Sequence, residues 1–367
     1  MLVPSFLNRL RAPQSLLNPQ RVNFLDGVRG LAALMVLLEH VIKDFLAVVT
    51  PEKYDSVLLV FITDGHFAVA IFFVLSGYVL SLSQVGSPKN LIYLFISRYF
   101  RLTIPILVTC TITYLILTAG LIFIAGPLYQ FHPTLLGLLQ FSLFDVFVHY
   151  DDLISYSPVL WTMSIELMGS YLLYLLIALF RRDTIYYLAL PLVIATSLLF
   201  FKPFIACFIF GYLIFELNLR YSSDNSVLIS RLGVVSFLSV VITVSFVQGL
   251  ENWIKCLLAF VLILSVCYSS MLKKVFTNPA LLFLGKISFI LYLIQFSVIC
   301  SLSAYIAIQF RDNNFVNLTS TNLNLLATVV VSIVCAFLLN PLDTYSIGIS
   351  KKIGVQANRA VGCFRPK

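Results

Sequence analysis

Asp26-Gly27-Val28-Arg29-Gly30-Leu31 opens an apolar run that continues to about Val49 and carries Glu39-His40 side by side past its middle. A run of this length crosses a bilayer, because about 20 apolar residues rising 1.5 Å each cover the hydrocarbon core. Yet it holds an arginine near its start and a histidine eleven positions later, a spacing close to three whole helical turns. Arg29 and His40 are therefore expected on one stripe of the first helix, about 16 Å apart along its axis. Ionisable groups within a membrane are costly, and they normally face a bundle interior and serve a function there. A bland alternative stands beside this on spacing alone: a buried histidine that hydrogen-bonds a neighbouring helix.

The rest of the chain shares the solvent preference of that run. Its 367 residues are 60% hydrophobic and 11% charged, whereas soluble domains carry about 25% charged residues. The expected fold class is all-α, a polytopic transmembrane helical bundle of about ten spans with both termini cytoplasmic. No polar stretch is long enough for a second, soluble domain. The organisation reads as a cytoplasmic N-terminal segment over 1–22, a transmembrane domain over 23–343 and a cytoplasmic C-terminal tail over 344–367. The net charge of +8 is a matter of topology, and no nucleic-acid partner is expected. Six of the seven cysteines (Cys110, Cys207, Cys256, Cys267, Cys300 and Cys335) stand singly in apolar runs, without a Cys-x-x-Cys pair. Neither a disulfide framework nor a metal site is indicated. Pro4, Pro13 and Pro19 interrupt the basic N-terminus, which reads as an uncleaved segment.

The spans are expected at 27–49, 57–83, 102–125, 158–180, 185–201, 203–219, 232–249, 253–270, 281–308 and 323–343. The positive-inside rule tests their orientation. With the N-terminus in the cytoplasm, seventeen Lys and Arg residues fall on inner segments, from Arg9 to Lys367. Five fall outside or at outer helix ends: Lys43, Lys53, Lys202, Lys255 and Arg311. Arg29 and Lys286 lie at the inner edge. The longest outer loop, 126–157, contains a short apolar stretch at 134–148 that suits a partly embedded or re-entrant segment. A second outer loop, 309–322, holds the Asn317-Leu318-Thr319 glycosylation sequon. No internal repeat of the kind that builds many transporters is evident.

Four further groups carry potential chemistry. Ser76-Gly77 lies in the inward-running second span, where small residues allow a close backbone approach. Arg98 and Arg101 share one helical face before Pro105. They suit either positive-inside anchoring or a bidentate grip on phosphate. Trp161 begins the fourth span as an interfacial aromatic. Ser164 and Glu166 follow it, and an acid at that depth has no place in an inert span. Arg29 and the Arg98/Arg101 pair thus approach from the inner face, His40 and Glu166 from nearer the outer one. Two classes fit these residues. One is a transporter or proton relay titrating through His40, Glu39 and Glu166. The other is an enzyme joining a cytoplasmic phosphate-bearing donor to an acceptor, with His40 as general base or nucleophile.

Five motifs, in this order, resemble membrane-bound acyltransferase family 3: Asp26-Gly-x-Arg29-Gly with His40; Phe72-Phe73-x-Leu75-Ser76-Gly77-Tyr78; Arg98-x-x-Arg101; Leu160-Trp161-x-x-Ser164-x-Glu166; and Leu284-Gly285-Lys286-Ile287-Ser288 leading to Leu291-Tyr292-Leu293. The resemblance runs from about residue 22 to 343. It implies a ten-helix acyltransferase of a bacterial inner membrane that takes acetyl from cytoplasmic acetyl-CoA and esterifies a hydroxyl of a cell-surface or lipid-linked saccharide. It further implies that Arg29 and His40 are the arginine–histidine pair needed for activity, with Glu166 the acid of the tryptophan motif. Arg98 and Arg101, with Arg29 and Ser76, would hold the acyl donor, which needs no metal. Coenzyme A carries three phosphates for such basic residues, and its pantetheine arm reaches into a bundle. Glu39 or Glu166 is expected to orient the imidazole, and Asp26 to hold Arg29 from three residues away. Gly77, Trp161 and Ser164 are expected to support the site.

The chain departs from that family at two places. Gln295 stands where many members have a histidine, and Leu167-Met168 follow Glu166 where a second polar residue is common. With only a short tail expected after residue 343, no esterase-like domain is expected there, and either the membrane domain completes the transfer or a separate extracytoplasmic partner does.

Overall fold

The computed structural model describes residues 22–46, 57–84, 89–123, 129, 131–179, 188–220, 226–313 and 315–363. Residues 1–21 of the expected N-terminal segment, and cations such as Lys53, Arg181 and Arg182, lie outside the described residues. Every element among the described residues is helical. Helix α1 is Asn23–Glu39 and continues as a π-turn over His40–Leu46. Then come α2 (Val57–Ile62), α3 (Gly65–Leu82), α4 (Leu91–Thr118) and α5 (Leu135–Gln140), the last running through a π-turn to Val148. Helix α6 (Trp161–Leu179) is followed by α7 (Ala189–Phe201), α8 (Pro203–Arg220), α9 (Val227–Phe246), α10 (Asn252–Tyr268) and α11 (Ser270–Phe276). Helix α12 (Pro279–Val298) passes through a π-turn (Ile299–Ser303) into α13 (Ala304–Asp312), and α14 spans Leu318–Cys363.

Seven of these are long and apolar enough to cross a membrane: α3, α4, α6 with its leading turn, α8, α9, α12 with α13, and α14. Helices α10 and α11, bent by 100° at one residue, make an eighth if counted as one span. The protein is therefore an all-helical, multi-pass membrane protein. Among the described residues, α1 and α7 do not pass that test. Helix α7 has 13 residues, short of the length that spans hydrocarbon. Helix α1 carries Asp26, Arg29, Glu39 and Lys43. At the other end of the chain, α14 runs unbroken for 46 residues, so residues 344–363 extend the last helix. Asn317 caps its start: its side chain accepts from the Ser320 N–H at 2.9 Å, and Ser320 Oγ accepts from the Asn317 N–H at 2.9 Å.

The chain divides into two compact units. The first holds the described residues up to Ala32, His66–Phe95 and Met168–Gly285. Glycine contacts bring its helices together backbone to backbone. A Cβ on Gly27 would overlap the Phe276 carbonyl, one on Gly30 the Leu281 carbonyl, and one on Gly285 the Asp26 carbonyl. Likewise Gly77 of α3 rests on the Phe208 carbonyl of α8, and Gly211 of α8 on the Val74 carbonyl of α3. This is the small-residue packing by which helices associate where lipid offers no hydrophobic drive. The α10–α11 bend has a polar cause: Ser269 leaves the helical region (φ −105°, ψ 117°) and caps α11, while Ser230 Oγ of α9 accepts from the Ser270 N–H at 3.1 Å.

The second unit holds Ala33–Gly65, Ile96–Leu167 and the residues from Lys286 onward. Polar side chains inside an apolar shell are its main ties. Asn324 of α14 meets the π-turn that follows α12: its Nδ2 donates to the Ser303 carbonyl at 3.1 Å and its Oδ1 accepts from Ser303 Oγ at 3.0 Å. Thr113 and Ser297 share a buried hydrogen bond of 2.7 Å. Around residues 131–158, Tyr99 donates to the Leu143 carbonyl at 2.6 Å and Tyr150 to the Pro158 carbonyl at 2.8 Å. Burial pushes the Tyr150 hydroxyl well above the ordinary phenol range, so it stays a proton donor.

Candidate active site

Most of the expected site residues fall in the second unit. His40 is the first residue of the α1 π-turn, half-buried, with its ring edge on Phe296 of α12 at 5.2 Å. π-turns widen the backbone locally and recur at functional sites. The carboxylate of Glu39 fills the space that a Cβ on Gly65 would need. Gly65 is the first residue of α3, so the carboxylate stands at the positive end of that helix, which favours its charge. A larger residue at 65 would collide with it.

Arg98 of α4 and Glu166 of α6 form an ion pair, Nη2 to Oε1, with side chains only 15% and 12% exposed. The two groups expected to approach from opposite faces therefore meet. Depth alone misleads here, because α4 begins at Leu91 and carries Arg98 about 10 Å along its axis. Arg101 is also engaged. Its Nη1 lies 2.6 Å from Asp343 Oδ1 and donates a hydrogen bond of 2.7 Å to Ser346 Oγ. The carboxylate approach lies outside hydrogen-bond alignment, so the directional bond goes to the serine while Asp343 balances charge. The Arg101 guanidinium also stands over the Phe289 ring, 5.3 Å from its centre, a cation–π geometry.

The tryptophan motif is tied to α12 through Tyr292. Its hydroxyl donates to the Val159 carbonyl at 2.7 Å and lies 2.8 Å from Thr162 Oγ1. Ser164 turns its hydroxyl onto its own helix, donating to the Trp161 carbonyl at 3.0 Å. Helix α12 thus presents Phe289 to Arg101, Tyr292 to the start of α6, and Phe296 to His40. These residues lie within about 10 Å along its axis. In the first unit, Arg29 Nη1 contacts Asp26 Oδ1 at 3.1 Å, and Ser76-Gly77 lies in the α3 stretch that packs on α8. Arg29 and His40 ride one continuous helix but belong to different units.

The family profile described as an acyltransferase domain, acyltransferase 3, matches residues 22–340. The chain belongs to this family. No curated protein and no solved structure matches it. The match covers the arginine–histidine helix, the Arg98–Glu166 pair and the α12 spine together, and membership makes the protein a membrane acyltransferase. Several residues escaped the sequence reading. Asp343 and Ser346, which engage Arg101, lie more than 240 positions from it, and no local pattern links them. Gly65 gave no signal either. Glu216, 1% exposed in α8, was visible as an acid ending an apolar run before Arg220.

Proposed function

We propose that this family member is an O-acetyltransferase. It takes acetyl from cytoplasmic acetyl-CoA and places it on a hydroxyl of a cell-surface or lipid-linked saccharide, from a multi-pass position in the plasma membrane with both termini cytoplasmic. The family match over 22–340 carries the reading. A half-buried histidine at a π-turn, within a unit that also buries an Arg–Glu pair, supports it.

In this mechanism the neutral imidazole of His40 takes the proton of the acceptor hydroxyl as its oxygen attacks the thioester carbonyl. When the tetrahedral intermediate collapses, the C–S bond breaks and the imidazolium returns that proton to the leaving thiolate. Glu39, beside His40 in sequence, helps to balance the imidazolium charge. Arg98 and Arg101 hold the phosphates in a particular way. Each is already partnered by a carboxylate, so neither is a bare clamp. A guanidinium has five N–H donors, however, and pairing fixes the orientation of the fork that a phosphate would meet.

The test is acetyl transfer from labelled acetyl-CoA in membranes with and without the protein, scored as alkali-labile ester on surface glycans. Protein-dependent ester is the expected result. Movement of label across the membrane without ester would instead mark a transporter.

A further inference from the structure

The second span expected from the sequence is interrupted. Helix α2 ends at Ile62 and α3 begins at Gly65, and the two residues between them, Thr63 and Asp64, are 1% and 8% exposed. A helix break leaves carbonyls unpaired on one side and N–H groups on the other. At membrane depth such irregular backbone persists only where it is buried in protein or lines a cavity. Part of the demand is met locally. The Thr63 N–H and Oγ1 both donate to the Leu59 carbonyl, at 3.0 and 2.5 Å, and the Asp64 N–H donates to the Phe61 carbonyl at 3.3 Å.

Two further partners come from the end of α1. Lys43 Nζ donates to the Thr63 carbonyl at 2.6 Å, and the Glu39 carboxylate lies against Gly65, where a Cβ would overlap it. A donor thus stands at the carbonyl end of α2 and an acceptor at the amide end of α3, matching what each end leaves unpaired. A plain alternative for Lys43 is a cation at a helix end that anchors the span to lipid headgroups. An anchoring lysine extends its ammonium into water. This one crosses 20 positions of the chain to the carbonyl of a residue closed to solvent.

His40 stands between the two anchors, as the first residue of the π-turn that holds Lys43. Such turns are uncommon and widen the backbone locally, and this one is tied at Glu39 and at Lys43 to the same short segment, residues 63–65. Phe296 seats the imidazole ring from α12. We infer that Lys43 is a positioning residue: by gripping the α2–α3 break, it fixes the turn from which His40 meets the acceptor hydroxyl. Gly65 is the other half of the grip, because a side chain there would displace the Glu39 carboxylate. The inference rests on the reading of His40 as general base.

Lys43→Met keeps the length of the side chain and removes the ammonium, so it is compared with wild type and with Lys43→Arg. Two quantities are measured in membranes: acetyl transfer against acetyl-CoA concentration, and the rate at which diethyl pyrocarbonate modifies His40, read by peptide mass spectrometry. Lys43→Met is expected to lower the rate at saturating acetyl-CoA about 10- to 100-fold, as misplacing a catalytic group does. The Michaelis constant for acetyl-CoA should not change, and modification of His40 should be faster. Lys43→Arg, still a donor, should restore both quantities. Gly65→Ala should repeat the Lys43→Met result, yet add nothing in a Glu39→Ala background, where no carboxylate remains to displace. Wild-type transfer and wild-type His40 reactivity in Lys43→Met would overturn the inference. So would an unchanged maximal rate with a raised Michaelis constant, which would make Lys43 a ligand contact. If Lys43→Met does not fold, Gly65→Ala carries the test, and wild-type values for it overturn the inference. If the wild-type protein transfers no acetyl, the proposed function falls, and the reactivity of His40 still decides whether Lys43 holds the turn.

Discussion

The two units reach stability by different routes. In the first, helices meet where side chains are missing: Gly27, Gly30, Gly77, Gly211 and Gly285 each rest on a neighbouring carbonyl or amide. In the second, helices meet through charge and hydrogen bonds: Arg98 with Glu166, Arg101 with Asp343 and Ser346, and Tyr292 with Thr162. Close backbone packing gives a rigid contact and has no chemistry of its own. Buried ions are a poor way to gain stability, because desolvation offsets most of the attraction. The second unit keeps the buried Arg98–Glu166 pair, which marks it for functional scrutiny, and it also holds His40.

This contrast can be broken from either side. The largest stability effect is expected at the buried pair. Glu166→Gln withdraws the carboxylate charge that pairs with Arg98 and should cost about 3–5 kcal/mol, read as a large fall in melting temperature together with loss of transfer. The double variant Arg98→Met/Glu166→Met should recover most of that stability while activity stays lost. If activity returned with stability, the pair would be scaffolding. Next in size, Gly77→Val or Gly211→Val drives a side chain into a facing carbonyl and should cost about 1–3 kcal/mol. The surviving folded fraction should keep the wild-type Michaelis constant for acetyl-CoA, because the change lies in packing. The smallest effect belongs to Asp343→Asn. Arg101 keeps its bond to Ser346, and both partners are about a fifth exposed, so stability should change by about 1 kcal/mol or less. Freed of its counter-charge, Arg101 should bind acetyl-CoA as well as wild type or more tightly. Weaker binding would show that Asp343 is needed to aim the guanidinium.

Helix existence and the membrane setting were legible because apolar runs and caps are local signals. So were the residues of chemical interest, since a charge stands out against an apolar background. Their partnerships were not. Arg98 and Glu166 are 68 positions apart and Arg101 and Ser346 are 245 apart, and nothing in either neighbourhood specifies the other. The π-turn at His40 was equally hidden, because one extra residue in a turn leaves the apolar pattern almost unchanged. The span count turns on local events that interrupt an apolar run, as at the Ser269 bend. Asn317-Leu318-Thr319 matched a sequon, yet the Asn317 side chain serves as a helix cap.

The most direct measurement is labelled acetyl transfer from acetyl-CoA to surface glycans in membranes holding equal amounts of wild-type protein and His40→Ala. Removing a general base should lower the rate by about 10²–10⁴-fold while the melting temperature stays within a few degrees of wild type. Equal transfer by both proteins would contradict the account and leave His40 a packing residue against Phe296.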